Sequence, residues 1–139
     1  DGETIRRVGL LVKQHGIEWK DDRRFLKRRL QRFGVENCRM MLMIRTADLS
    51  GQHEKSEEGG LPRWRSQLCR IEEGIDMILK EQMCFSRSSL AIDGRDLMAD
   101  GVPAGPELGE ILEQLLELVI EEELPNEKEA LLEKSRQIR

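Results

Sequence analysis

The stretch KDDRRFLKRRLQR, Lys20 to Arg32, places seven Lys/Arg in thirteen residues. On a helix of ~3.6 residues per turn, Lys20, Arg24, Lys27 and Arg28 fall on one side. Arg23 and Arg32 flank them, and Phe25, Leu26, Leu30 and Phe33 form an apolar stripe opposite. A run of charge is ordinarily a solvated face. Set against a clean apolar stripe it becomes a ridge of cations, which suits a phosphate backbone contacted without regard to base sequence. No aromatic residue interrupts the ridge, which argues against base stacking and for a structured RNA read by its shape. Arg29 falls inside the apolar arc, where it is expected to snorkel or to pair with a carboxylate.

The other candidates for chemistry are sparse. His15 and Asp48 each lie on the apolar side of a helical pattern, and buried polar groups need partners. They fit a buried hydrogen-bonded pair, or two corners of a metal site lacking its other ligands. Two ligands do not hold a catalytic metal, so no metal is expected here. The turn GVPAGPELG could offer helix-start N–H groups to a phosphate. Pro106 has no N–H and Glu107 already supplies negative charge there, which favours a structural corner. His53 has no metal-binding companion and reads as solvated. Cys38, Cys69 and Cys84 are odd in number and widely spaced, which points to reduced, mostly buried thiols. No P-loop, GxGxxG, GxSxG, HExxH or EF-hand pattern occurs, and no paired Asp suited to two-metal nucleotidyl transfer.

The elements that would position these residues read as a string of helices. Ile5, Val8, Leu11 and Val12 recur at helical spacing over Glu3 to His15, and Gly16 ends the run. Asp21 or Asp22 caps the basic helix and Gly34 stops it. A third helix over Glu36 to Ser50 would bury Cys38, Met41, Leu42 and Leu49, with Met40, Met41 and Met43 as core filling. Gly51 to Gly60 is polar and bounded by glycine. Pro62 then opens a long helix to about Met83, striped by Trp64, Leu68, Ile71, Ile75, Ile78 and Leu79. Gly74 within it marks a close helix crossing. Asp93 with Asp96 caps a short helix that stops at Gly101. Pro106 starts a helix whose wide apolar arc, from Leu108 to Ile120, implies two packing neighbours. Asn126 with Glu129 caps a last helix to about Ile138. Only Ser89 to Ile92 alternates in the manner of a strand.

Length and composition agree. The chain has 139 residues, 36% of them charged and 4% aromatic, with no Tyr. That is one ordinary domain's length, with a charged share above the usual quarter and few β formers. The expected architecture is all-α, a bundle of about seven helices without substantial sheet. No apolar run approaches the ~20 residues that span a bilayer. Charge is unequally divided. Residues 1–70 hold 16 Lys/Arg against 10 Asp/Glu, and residues 71–139 hold 7 against 17. The basic half suits a polyanion, or the two halves neutralise each other within the fold.

The segment LAIDGRDLMADGVPAGPELGEILEQLLELVIEEELPNEKEALLE, Leu90 to Glu133, resembles the C-terminal part of bacterial CCA-adding tRNA nucleotidyltransferases and their poly(A) polymerase relatives. Gly94, Asp96, Leu97, Met98, Gly101, Gly105, Pro106, Gly109, Leu112 and Asn126 carry the likeness. Val12 to His15 with Arg45-Thr46-Ala47-Asp48 is similar to the later helices of an HD-like domain found in many of these enzymes. The resemblance implies C-terminal helices of an HD-like body over 1–52 and a helical tail over 85–139, joined by the mobile polar loop, 53–61, and the connecting helix, 62–84, that the pattern itself predicts. It also implies a cytoplasmic parent that adds CCA or A to tRNA 3′ ends from CTP and ATP with Mg²⁺. The catalytic head and neck would lie outside this chain, which by itself would be inactive. Its body and tail would position tRNA through the phosphate backbone, with no DNA or membrane partner. Lys20, Arg23, Arg24, Lys27, Arg28 and Arg32 are the candidate RNA contacts, and His15 with Asp48 an incomplete metal-site remnant. The alternatives are a fragment of an HD-superfamily phosphohydrolase and a purely structural helical module.

Overall fold

Leu, Glu, Arg and Lys favour helix, and the backbone follows them. The computed structural model describes residues 1–14, 18–53 and 63–139, with backbone alone at 11, 12, 14, 52 and 53; no strand occurs among the described residues. Seven α-helices are present there: α1 (Gly2–Gln14), α2 (Arg23–Phe33), α3 (Val35–His53), α4 (Arg63–Lys80), α5 (Gly94–Ala99), α6 (Pro106–Ile120) and α7 (Lys128–Ile138). The all-α expectation holds. The chain divides into two compact units, Asp1–Met77 and Ile78–Arg139, the division lying inside α4.

In the first unit α3 packs against both α1 and α2. Its buried side chains include Leu26, Leu30 and Phe33 from α2, Cys38, Met41 and Leu42 from α3, and Leu68, Ile71 and Ile75 from α4. Trp19, just before α2, is buried as well. Asp22 caps α2, accepting the Arg24 N–H at 3.1 Å, and the Gly34 N–H closes it on the Leu30 carbonyl at 2.9 Å. The close crossing expected at Gly74 is present: a Cβ there would lie 2.6 Å from Leu26 Cδ1.

Several expectations need correction. Helix α3 begins at Val35 and runs to His53, past Ser50, while α4 stops at Lys80 rather than Met83. Ile5 and Val8, placed on a buried stripe, are exposed, as are Met40 and Met43. Polar contacts hold α1 on α3: Arg7 pairs with Glu36 at 2.8 Å and donates to the Met40 sulfur at 3.0 Å. Cys69 is exposed, unlike Cys38 and Cys84, and none of the three forms a disulfide. Pro62 and nearly all of the expected polar loop lie outside the described residues.

In the second unit α6 is the hub, touching α5, α7 and a 3₁₀ turn at Arg87–Ser89. Ile111, Leu112, Leu115, Leu116, Val119 and Ile120 are all buried, as its broad apolar arc requires. Both halves of the capping box form at α5: Asp93 accepts from the Asp96 N–H at 3.0 Å and Asp96 from the Asp93 N–H at 2.9 Å. Asn126, expected to cap α7, does not; Glu127 occupies that position. The Asn126 amide instead accepts the Ala91 N–H and donates to the Ser89 carbonyl, each at 2.8 Å. It serves the backbone at the end of the 3₁₀ turn and just after it, where the sequence reads as a strand and none forms.

Candidate nucleic-acid interface

Helix α2 and its lead-in hold the basic residues. Lys20, Arg23, Arg24, Arg28 and Arg32 are exposed. Lys27 is not: it is 4% exposed and engaged within the protein. It follows Leu26 and precedes Leu30 by three positions, so it lies at the edge of the apolar stripe, and α2 packs deeply enough to cover it. Lys27 therefore leaves the ridge. Among the described residues Lys20, Arg24 and Arg32 make no ion pair through their side chains.

Arg29 corrects a second expectation. Its guanidinium rests on aromatic rings, not on a carboxylate. It lies 5.0 Å from the Phe25 ring centroid, 5.6 Å from Phe33 and 5.7 Å from Trp19. Trp19 and Phe25 meet edge to face at 6.1 Å, bracing that wall. Burial first, and then the neighbouring Arg32, lower the Arg29 pKa from its ordinary value. Phe25, Arg28, Arg29, Gln31 and Arg32 line an open groove of about 550 Å³. An aromatic residue thus does reach the cationic face. The signal was present in sequence, because Phe25, Arg28, Arg29 and Arg32 stand at i, i+3, i+4 and i+7 and share one helix face.

The remaining candidates do not build a site. Asp48 is exposed on α3, against the expectation that it is buried, and His15 lies outside the described residues together with any pairing between them. No group of three or more His, Cys, Asp or Glu able to hold a metal ion occurs among the described residues. Burial pushes the Cys38 thiol up to about 11, too high for a ready nucleophile.

The GVPAGP corner is structural. Gly101 and Gly105 have φ of 100° and 147°, conformations that side chains resist, and Pro106 opens α6. At Gly94 a Cβ would stand 3.0 Å from Leu108 Cδ2. Asp96 completes its cap, Leu97 and Leu112 are buried, and Asn126 clamps the 89–91 backbone. Most of the residues that carry the resemblance therefore specify how this corner folds. Sequence reading missed Asp100, which gathers Arg136 and Arg139 from the chain's last helix and terminus.

Fold and site define an all-helical module with one cationic helix face. Residues 17–135 match the family model for tRNA nucleotidyltransferase domain 2, and the chain belongs to that family. A 47-residue stretch is 51% identical to the CCA-adding enzyme of Levilactobacillus brevis, covering 34% of this chain and 12% of that enzyme. The match thus spans a small part of that relative's length. No solved structure matches the chain.

Proposed function

We propose that this chain is a tRNA-positioning helical region of a tRNA nucleotidyltransferase, holding the phosphate backbone with the exposed basic face of α2. The supporting observation is that Lys20, Arg24 and Arg32 stand exposed on one segment, without carboxylate partners among the described residues, in a chain of a tRNA nucleotidyltransferase family. Phosphate contacts fix register and orientation while reading no base. The role is therefore to hold a common tRNA shape while chemistry proceeds elsewhere in the enzyme. In this reading the whole enzyme extends tRNA 3′ ends from CTP and ATP with Mg²⁺, and no step of that reaction passes through this chain's residues. The acidic helices of the second unit do not offer a phosphate surface.

The test is a charge reversal outside the groove, Lys20→Glu with Arg24→Glu, in the full chain. Fluorescence anisotropy with labelled tRNA should show weaker binding by about tenfold or more, similar for tRNAs of different sequence. Stability should stay within about 0.5 kcal/mol, since both residues are exposed. Unchanged affinity in the folded variant would reduce the face to solvated charge.

A further inference from the structure

We propose that the groove on α2 is a pre-formed clamp for one phosphate group of an RNA backbone, with Arg29 as its anchor and Arg32 as its second arm. The inference deepens the reading above and rests on it. Arg29 stands apart from the ridge. Its guanidinium is held against Phe25, Phe33 and Trp19, and two of those rings are themselves buried. A cation–π contact with a ring does not use up the guanidinium's N–H donors. Among the described residues no hydrogen bond or ion pair uses those donors. Its backbone carbonyl accepts the Cys38 thiol at 3.3 Å.

Arg32, one turn along, lies 5.1 Å from the Phe33 ring and likewise makes no ion pair. Two fixed cations side by side with no anion between them repel each other, and burial adds to the cost of the Arg29 charge. A bound anion relieves both. The Gln31 amide lines the same groove, with Phe25 as an apolar wall. A guanidinium held against rings on a helix loses less entropy on gripping a tetrahedral anion than a free side chain does. A mobile lysine on a solvated face loses far more.

The planar fork, more than the charge, is what such a clamp uses, so Arg29→Lys is the informative variant. Anisotropy of the full chain with labelled tRNA across a salt series should show Arg29→Lys weakened by about tenfold, with a nearly unchanged slope of log K against log salt. Arg29→Met should weaken binding at least as much and reduce the slope by about 0.7 to 0.9. Arg32→Lys, at an exposed position that does not threaten folding, should lose severalfold, and it decides the matter if the Arg29 variants fail to fold. Circular dichroism identifies such failures. Wild-type affinity in folded Arg29→Lys, or in Arg32→Lys should the Arg29 variants not fold, would overturn the clamp. If Lys20→Glu with Arg24→Glu still weakened binding, the broader reading would stand without it. Wild-type affinity in that pair as well would remove both.

Discussion

At the residue scale the strongest polar cluster is one that no motif announced. Asp100 accepts from Arg136 Nε at 3.0 Å and Nη2 at 2.6 Å, and its backbone carbonyl accepts from Arg139 Nη1 at 3.0 Å. Arg136, and then Arg139, hold its carboxyl down to about 2. A carboxyl whose folded pKa lies below the unfolded value of ~3.9 stabilises the fold above that value. The contribution fades as pH falls from about 4 to about 2. Asp100→Asn should therefore lower the melting temperature at neutral pH and flatten its decline between those two pH values. Circular-dichroism melts at stepped pH check this; parallel curves would mean that the cluster adds nothing. Asn126 gives a second prediction. Asn126→Ala removes two backbone contacts and should cost roughly 1–2 kcal/mol in urea unfolding. Asn126→Asp should cost nearly as much, because a carboxylate oxygen would face the Ser89 carbonyl.

At the element scale, helix ends decide the boundaries that periodicity misjudges. Helix α4 stops short of Met83 because Gln82 turns left-handed, with φ of 52°. The Met83 N–H then reaches back to the Ile78 carbonyl at 3.0 Å and the Gln82 N–H to Leu79 at 3.2 Å. That closure is normally given to glycine, and a side chain there costs about 1 kcal/mol. Gln82→Gly should accordingly raise stability by roughly 0.5–1 kcal/mol. Gly105 is the converse. At φ 147° and ψ −167° it has no tolerated side chain, so Gly105→Ala should destabilise by more than about 1 kcal/mol. Denaturant midpoints measure both, and matching signs for the two variants would contradict the account.

At the scale of the molecule, charge follows the division of the chain. Residues 1–77 hold 16 Lys/Arg against 13 Asp/Glu, and residues 78–139 hold 7 against 14. Within each unit, basic residues meet acidic ones, as in Arg39 with Asp76 and Lys128 with Asp96. In the first unit, Lys20, Arg24 and Arg32 cluster on and beside α2 without an ion pair among the described residues. Reversing exposed Arg95 in the second unit to Glu should thus leave tRNA affinity within about twofold, where the same change at Arg24 and Lys20 does not. No helix among the described residues is long and apolar enough to cross a membrane.

The sequence by itself determined the helices and the buried faces of α4 and α6, because a 3.6-residue period, caps and glycine stops are local properties. Asp93 with Asp96, Pro106 and the arc of α6 were all legible in this way. Gly74 was too, since a helix-weakening glycine inside a stripe has few reasons other than close approach. The Leu90 to Glu133 motif carried the family, although its residues shape a corner and touch no substrate that can be named. Tertiary structure alone decided the rest. Lys27 sits at the stripe's edge, and only the depth of packing on α3 and α4 tells whether it is covered. Asn126 looked like a cap because a cap is the nearest partner in sequence; its partners lie 35 and 37 residues away. Arg29 looked misplaced in an apolar arc until Trp19 and Phe33 closed on it. Spacing along one helix records which residues share a face, but not what the fold brings against that face.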